Sequence, residues 1–316
     1  MNMKRFRLSC VAAALLAVCT NGLGAQQATS SHSRLKLTST SVPSVTYTTS
    51  GSSQAMGTLT VTRSAMTAAS YFIVFTRGRV SSGSGESLTY GLYPTSITTT
   101  ALCIDGNPTN ADQVISLTLQ EGVASATVNY YLRVSNSTFP SAGTYAIPLT
   151  ARLYTGSFSG DLPSSSKKAT MTAMITVGKI ADVAVVGGAS DSFNFISPTA
   201  NPDYTLSLGS LSSTTATTGT AYILVRTNSS YSLALSSASG GRLVDSSDSS
   251  STIPYTVNVD SGSSRSLSTS AVGIVTGSAT YSNADRHTIV VTVGGIGSSP
   301  SPGTYTDTIT VTVAAS

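Results

Sequence analysis

The sequence has few charged residues, few cysteines and little of the periodicity that builds amphipathic helices. Asp, Glu, Lys and Arg make up only 9% of its 316 residues, against about 25% in ordinary globular proteins. Without Lys4, Arg5 and Arg7, at the very N-terminus, 14 basic residues face 13 acidic ones. A chain this close to neutral has no basic surface for nucleic acid. Its abundant Ser, Thr and Gly favour an exported structural protein over a cytoplasmic enzyme.

Cysteine and histidine are too scarce for a disulfide framework or a metal site. Cys10 and Cys19 lie in the N-terminal leader described below, which leaves Cys103 without a partner in the rest of the chain. Cys103 is interpreted as a half-buried free thiol, with an intermolecular disulfide as the alternative. His32 and His287 are not paired at metal-ligand spacing. We expect neither a metal nor a cofactor.

No pattern of residues indicates catalysis. Asp285 and His287, with the many serines, could at most suggest a hydrolase triad, but no nucleophile-elbow Gly-x-Ser-x-Gly sequence supports one. Asp245 and Asp248 are interpreted as a polar turn, because they lack the ligand number of a calcium loop. Asn228 starts one of two glycosylation patterns, which are common by chance in so Ser-rich a chain. The chain is interpreted as a non-enzyme.

The N-terminus has the layout of a secretory leader. Three basic residues precede an apolar run at 8–18, and Gly-Leu-Gly-Ala follows at 22–25. This order predicts a signal peptide that is cleaved after Ala25. The apolar run is shorter than the roughly 20 residues of a membrane span. A lipoprotein anchored at Cys19 is the alternative.

The rest of the chain alternates apolar and polar residues with a period of two. Short alternating runs are separated by clusters of Ser, Gly, Asn and Pro, which is the pattern of strands and turns. At 304–313, Thr occupies every even position and Tyr, Asp, Ile, Val and Val the odd ones. Such a strand has one face in a core. The fold class predicted is all-β, as antiparallel sandwiches.

An internal repeat divides these strands into two sets. Pro-Ser-Ala-Gly-Thr-Tyr at 140–145 recurs as Pro-Ser-Pro-Gly-Thr-Tyr at 300–305, and the run at 70–75 recurs at 230–235 with the same offset along the chain. Two further matches, at 57–59 with 219–221 and at 88–92 with 253–257, keep the same order. We predict two related sandwich domains, at 26–178 and 179–316. Pro148 conflicts with a regular strand and requires either a bulge or an unpaired N–H side.

The two repeats end differently. In the first, the strand at 145–153 is followed by a loop and by another alternating strand with Met171, Ala173, Ile175 and Val177. In the second, the corresponding strand is followed only by Ala-Ala-Ser at 314–316. The second sandwich is therefore expected to have an open edge, which invites a strand from another molecule. The residues predicted to line this groove are Tyr305, Ile309, Val311 and Val313.

Two segments of the second repeat resemble a known family. Gly-Thr-Tyr-Thr-Asp-Thr-Ile-Thr-Val-Thr-Val at 303–313 and the segment 219–254, with Thr-Asn-Ser-Ser-Tyr-Ser-Leu at 227–233, are similar to spore coat protein U (SCPU) domains. That family includes subunits of the archaic (Csu-type) chaperone–usher pili. The resemblance implies an immunoglobulin-like sandwich that lacks one strand. A periplasmic chaperone lends the strand first, and an adjacent pilus subunit replaces it after assembly through an outer-membrane usher.

The resemblance also implies a position in the fibre. A subunit within the shaft donates an N-terminal strand, but residues 26–41 offer only Leu35 and Leu37 in alternation. This favours a two-domain tip adhesin, exported through the periplasm to the cell surface. Family members often carry a disulfide, which this chain lacks. The alternatives are a structural coat or ordinary fibre subunit and, in another class, a secreted sandwich-fold hydrolase or lectin.

One loop of the first sandwich is a candidate for contact with a surface or host receptor. Residues 154–168 connect two antiparallel strands at the end predicted to lie farthest from the second domain. They include Phe158 and Leu162 among Ser and Gly. Exposed apolar groups at such an end mark interaction sites, and we predict this role. The alternative is that both side chains fold back onto their own domain.

Overall fold

A computed structural model describes residues 34–49, 51, 53–79, 88–136, 139–164, 166–192, 203–281, 283–297 and 300–316. These residues form β-strands, turns and loops, with a single three-residue 3-10 turn at Ala111–Gln113. The all-β prediction is confirmed. The predicted leader and Ala25 lie outside the described residues. Within the described part of the chain, no helix has the length and apolar character needed to cross a membrane.

Nine strands in two sheets form the first sandwich. They are β1 (Lys36–Ser41), β2 (Ser44–Thr46), β3 (Ser53–Thr62), β4 (Ala69–Arg77), β5 (Tyr90–Tyr93), β6 (Ile115–Leu119), β7 (Ser125–Val134), β8 (Gly143–Thr155) and β9 (Lys167–Val177). One sheet has the order β1-β3-β7-β5, and the other has the order β2-β9-β8-β4-β6. All neighbours are antiparallel except β2 and β9. The alternation of β8 and β9 buries one face of each strand, so that both contribute to a single core.

Nine further strands form the second sandwich. They are β10 (Ala181–Val186), β11 (Thr217–Thr227), β12 (Tyr231–Ser237), β13 (Arg242–Asp245), β14 (Thr252–Val259), β15 (Val272–Gly277), β16 (Asp285–Val293), β17 (Tyr305–Thr306) and β18 (Ile309–Ala315). The sheet orders are β10-β11-β16-β14-β13-β17 and β15-β12-β18. No described sheet combines strands from both sandwiches, and the predicted boundary at residue 178 falls between β9 and β10.

The repeat seen in the sequence reappears as a repeat of strand register. Tyr71 pairs with Thr155 and Leu117 in the first sandwich. Tyr231, its equivalent in the second repeat, pairs with Ala315 and Gly277, which are the repeat equivalents of Thr155 and Leu117. The strands β6, β4 and β8 therefore correspond to β15, β12 and β18. The two sandwiches share the framework on which each core is built.

Pro148 lies within β8 without a bulge. Its pairing with Thr172 of β9 continues an unshifted register. On the opposite side, β4 ends at Arg77, which pairs with Leu149, and the backbone N–H of Gly78 donates to the Pro148 carbonyl. The Pro148 nitrogen, which carries no hydrogen, therefore faces a point beyond the last residue of β4. No ladder hydrogen bond is lost as a result. Of the two arrangements expected at Pro148, a bulge or an unpaired N–H side, the structure has the second.

Strand β4 is buried on both faces. Tyr71, Ile73 and Phe75 belong to the main core. The intervening Phe72 and Val74 are each 1% exposed and join Val114 and Tyr154 in a smaller outer cluster. The outer cluster needs a cover on the solvent side of the sheet, and this need determines where the loop between β8 and β9 lies.

Candidate functional site

The strand β18 has a described partner on one side only. It pairs with β12 from Ile309 to Ala315, and no strand among the described residues pairs with its other edge. In the first sandwich, β8 pairs on that side with β9 along eleven residue pairs. The free edge of β18 thus lies where the first sandwich holds its own alternating strand.

An apolar groove runs along this edge between β18 and β10. Val183 and Val185 of β10 line one side, and Ile309, Val311 and Val313 of β18 line the other. We call these five residues the edge groove. All five are partly buried against the second core. The groove is apolar and no backbone ladder joins its two sides, because β10 pairs with β11 rather than with β18.

The exposure of the groove residues differs from that of their counterparts. Leu149, Ala151 and Leu153 of β8, the strand that pairs with β9, are at most 2% exposed. Their equivalents in the second repeat, Ile309, Val311 and Val313, are all half-buried on the inward face of β18. The same pattern in the sequence therefore yields a sealed face in one sandwich and a wet face in the other.

Tyr305, predicted as the fourth groove residue, lies elsewhere. It belongs to β17, which pairs with β13 in the opposite sheet. Its hydroxyl donates to the Ser301 carbonyl at 2.8 Å and shares a hydrogen bond of 2.7 Å with Ser251. The structure thus separates Tyr305 from Ile309, Val311 and Val313. The single strand expected at 305–313 is two strands, one in each sheet.

Asp307 explains the break between β17 and β18. Its carboxylate accepts hydrogen bonds from the Ser237 hydroxyl at 2.5 Å, the Tyr255 hydroxyl at 2.6 Å and two backbone N–H groups, of Thr308 and Ser239. The corresponding residue of β8 is Ile147, which is fully buried. A carboxylate at this inward position needs hydrogen-bond donors. The backbone departs from the strand at Asp307, which brings the carboxylate within reach of these donors.

These contacts predict how the second sandwich responds to acid. Burial alone would raise the pKa of Asp307, but the hydrogen bonds from Ser237, Tyr255, Thr308 and Ser239 outweigh it and lower the pKa below 3.8. A lowered pKa stabilises the fold above the unfolded-state value, and this stabilisation is lost as the pH falls through the folded-state value. We expect the free energy of unfolding to decrease as the pH drops below about 4.

The variant Asp307→Asn tests this assignment. At pH 7 it should lower the free energy of unfolding by about 2 kcal/mol, because hydrogen bonds to a charged acceptor are lost. It should also reduce the loss of stability between pH 4 and pH 2, measured by urea denaturation. Thr306→Asn, at an exposed neighbouring position, is the control. An unaltered acid response in Asp307→Asn would contradict the role of this carboxylate.

A buried asparagine joins the two sandwiches, which the sequence did not indicate. Asn228 is 3% exposed. Its side-chain amide donates to the carbonyls of Pro140 and Gly178 at 3.0 and 2.9 Å, and it accepts from the N–H of Ile180 at 2.8 Å. Its backbone carbonyl accepts from Ala142. This burial leaves no room for a glycan on Asn228, and the side chain instead fixes the linker.

A cation–π contact extends this joint. The Arg226 guanidinium lies 4.3 Å from the centre of the Phe139 ring and pairs with Asp182 at 2.7 Å. Arg226 and Asp182 face each other across β10 and β11. The first residues of the edge-groove strand β10 are therefore held at the joint, while the other end of the groove lies away from it.

His287 belongs to a buried polar network rather than to a hydrolase triad. Its Nδ1 lies 2.5 Å from Asp260 Oδ2, and its Nε2 lies 2.7 Å from the Tyr231 hydroxyl, which donates to Asp285. No serine hydroxyl is among these described partners. Burial, followed by the hydrogen bond to Asp285, raises the pKa of Tyr231. This network ties β12 and β16 to the turn that follows β14.

The other sequence candidates form local structure. Asp245 accepts from the N–H and hydroxyl of Ser247, and Asp248 does the same with Ser250, which lowers the pKa of both carboxyls. These are the hydrogen-bonded turns expected there. In the described part of the chain, no group of three or more His, Cys, Asp or Glu is positioned to hold a metal. Cys103 is a half-buried free thiol.

Phe158 and Leu162 cover the outer cluster on β4. Both are half-buried and pack against Phe72, Val74, Val114 and Tyr154. The Phe158 ring meets the Phe72 ring edge-on, with 5.5 Å between centres. The composition of the loop predicts exposed side chains, but the loop folds back onto its own sandwich, which is the alternative interpretation. The apolar run Tyr71–Phe75 was the signal for this, because it predicts a strand covered on both faces.

Comparisons with known proteins gave matches among solved structures only. No family model and no curated protein matches the chain. The chain is similar to one from the CsuC–CsuE chaperone–tip adhesion subunit pre-assembly complex of the archaic chaperone–usher Csu pili of Acinetobacter baumannii, with 15% identity, 89% and 99% of the two chains covered and a TM-score of 0.46. It is also similar to the CupB6 tip adhesin of Pseudomonas aeruginosa, with 10% identity, 88% and 93% of the two chains covered and a TM-score of 0.35. A third similar structure is that of CfaE, the adhesive subunit of CFA/I fimbria of enterotoxigenic Escherichia coli. It has 10% identity, 89% and 81% of the two chains covered and a TM-score of 0.31.

Proposed function

We propose that this chain is a subunit of a surface fibre and that its second sandwich accepts a β-strand from another chain. One observation carries the proposal: β8 and β18 share a register relative to β4 and β12, yet among the described residues only β8 has an alternating strand on its other side. A strand that binds β18 as β9 binds β8 would complete the second sandwich in the manner of the first.

The chemistry of the edge groove favours such a partner. A free strand edge presents unpaired N–H and C=O groups, which another chain can satisfy by strand addition. The inward-facing Ile309, Val311 and Val313 are half-buried, and covering them would contribute on the order of 1 kcal/mol each. Both the backbone and the side chains therefore gain from an alternating apolar strand.

The order of partners follows from the SCPU resemblance. A periplasmic chaperone would occupy the groove first and keep the subunit from aggregating. An adjacent subunit would then replace it as the chain passes through an outer-membrane usher. The protein would thus be exported through the periplasm to the cell surface as part of a fimbrium.

The N-terminal part of the chain favours a position at the tip. Leu37 is 4% exposed in the core of the first sandwich, and Leu35 packs against that core. Strand β1, which contains Leu37, is already paired with β3. These two leucines are therefore committed to their own sandwich. A subunit that accepts a strand without donating one would end the fibre, and its first sandwich would be the adhesive part.

Labelling of intact fibres tests this position. Antibodies against the first sandwich, detected by immunogold electron microscopy, should mark one end of each fibre. Label along the whole shaft would support the alternative of an ordinary fibre subunit. Deleting the gene for the chaperone should remove the label from the cell surface, and persistence of the label would contradict the assembly proposal.

The end of the first sandwich that lies far from the joint would be the adhesive end. Arg63, which is 6% exposed, donates to the carbonyls of Val123, Leu119 and Gln120 at 3.0, 3.2 and 2.6 Å, and also to that of Thr67. These bonds hold together two loops, one after β3 and one before β7. A buried cation shared among carbonyls keeps this end of the sandwich rigid.

Two exposed apolar side chains lie on these loops. Met66 is 49% exposed and Val123 is 39% exposed, and the Gly122 N–H donates to the Met66 carbonyl at 2.8 Å. Phe158 and Leu162 are at the same end but are engaged with the outer cluster. Met66 and Val123 are therefore better placed than the predicted loop residues to contact a surface.

Two double variants distinguish the two sets of residues. Met66→Ser with Val123→Ser should reduce retention of cells on a hydrophobic surface while the number of fibres per cell stays normal. Phe158→Ser with Leu162→Ser should instead lower the unfolding temperature of the first sandwich, because it uncovers the outer cluster. Normal stability together with lost binding in the second variant would restore the loop to the adhesive role.

A further inference from the structure

Residues 203–211 contain an alternating apolar segment that belongs to no sheet. Tyr204, Leu206 and Leu208 alternate with Thr and Ser, as in a strand. Leu206, Leu208 and Leu211 are partly buried against the second core. The segment has no strand partner among the described residues. It thus has the side-chain pattern of a groove occupant without the backbone ladder of one.

The two leucines of this segment lie over the inner face of β11. A Cβ added at Gly219 would be 2.6 Å from Leu208 Cδ2 and 3.1 Å from the two methyl groups of Leu206. Gly219 occupies an inward position of β11, two residues before the buried Ala221. The absence of a side chain on Gly219 lets both leucines enter the space between the sheets.

This part of β11 is the part that β10 leaves uncovered. Strand β10 pairs with β11 only from Tyr222 to Thr227. Thr227 is next to the joint at Asn228, and Gly219 is roughly 25 Å further along the strand. Ile309 is also at this end, because it pairs with Ser237 while Ala315 pairs with Tyr231 beside the joint. The leucines therefore lie at the end of the second sandwich that is distant from the joint, the end at which Ile309 also lies.

The first sandwich has a much shorter connection at the same point. The Gly57 region of β3 corresponds to Gly219 of β11, and β3 follows Val45 and Tyr47, which are 2% and 4% exposed in the core. There, β2 pairs with β9, so these side chains seal the core together with the closing strand. In the second sandwich, the leucines of 203–211 are at the corresponding end, and no described strand there plays the part of β2.

We propose that residues 203–211 act as an internal plug of the far end of the edge groove, which an incoming strand displaces. This inference rests on the proposed function. Leu206 and Leu208 keep water from the core while the groove is empty, and the missing backbone ladder keeps the plug removable. The plug competes with the donor strand for the groove. The apparent affinity of the donor strand is therefore its intrinsic affinity multiplied by the fraction of time that the groove is open.

A peptide with the sequence Lys167–Val177, the closing strand of the first sandwich, serves as the probe. Binding of the labelled peptide to the full chain is measured by fluorescence anisotropy. The double variant Leu206→Ser, Leu208→Ser should bind at least about tenfold more tightly than the wild type, as expected for a groove blocked about nine-tenths of the time. Leu88→Ser, at a partly buried position of the first core, should bind as the wild type does.

A second measurement uses the unaltered chain. Hydrogen–deuterium exchange of the 203–211 amides should rise when the peptide is bound, because the plug leaves the groove. Equal peptide affinity of the wild type and the double variant, with unchanged exchange, would overturn the plug alone. Absence of peptide binding to both proteins would overturn the plug together with the strand-acceptor function.

Discussion

A strand fused to the C-terminus should raise the unfolding temperature of the second sandwich by roughly 10 °C. The added strand carries the sequence Lys167–Val177 and follows Ser316 through a short flexible turn. Ser316 is hydrogen-bonded to Ser230 beside the joint, so the added strand would run back along β18 as β9 runs along β8. The five edge-groove residues would then be covered, at about 1 kcal/mol each.

The control for this variant changes only the inward face of the added strand. Serine at the positions corresponding to Met171, Ala173, Ile175 and Val177 keeps the length and the backbone hydrogen bonds but removes the apolar contacts. Differential scanning calorimetry resolves the two sandwiches if they unfold separately. A similar unfolding temperature for the unfused, fused and control proteins would mean that the second sandwich is already closed.

Without an added strand, the chain expressed alone should aggregate, since the β18 edge stays unpaired. The other edge strand of the same sheet, β15, is managed differently. Its pairing with β12 is interrupted by a register shift between Leu233 and Ala234, and such bulges discourage edge-to-edge pairing. Strand β18 pairs with β12 over seven residues without a shift. The contrast between the two edges favours β18 as the one that accepts a strand.

The alternation in the sequence was sufficient to predict the repeated framework. The inward set of β8 from Leu149 to Leu153 has its equivalent in β18, because the two strands pair with β4 and β12 in the same register and turn the same face inward. A shift of a single residue would turn this face to solvent, so register is strongly constrained by the pattern. Sequence periodicity therefore predicted the strands, and the open edge on β18 stays a prediction.

The break at Asp307 could not be predicted from that pattern. Its hydroxyl donors, Ser237 and Tyr255, are 70 and 52 residues away in the sequence, and nothing local indicates that they converge. The joint at Asn228 has the same origin, since its partners come from two distant segments, one at Pro140 and one at 178–180. Polar contacts between distant segments leave no periodic trace in a sequence, whereas apolar faces do.

The last expected result compares one substitution at two equivalent positions. Ala151→Asp should unfold the first sandwich, because Ala151 is 0% exposed on the inward face of β8 and an unpaired charge there costs several kcal/mol, about 4 or more. Val311→Asp introduces the same group at the corresponding position of β18, where water reaches the half-buried side chain. In the isolated chain it should cost only about 1 kcal/mol.

The difference between the two positions should disappear once a strand fills the groove. Val311→Asp should weaken binding of the Lys167–Val177 peptide about 100-fold and reduce chaperone capture, because the carboxylate would be buried in the complex. Thr312→Asp, on the exposed face of the same strand, should leave binding within about threefold of the wild type. Urea denaturation gives the stability of each protein, and anisotropy gives the affinity. If Val311→Asp bound the peptide as tightly as Thr312→Asp, residue 311 would not face the incoming strand.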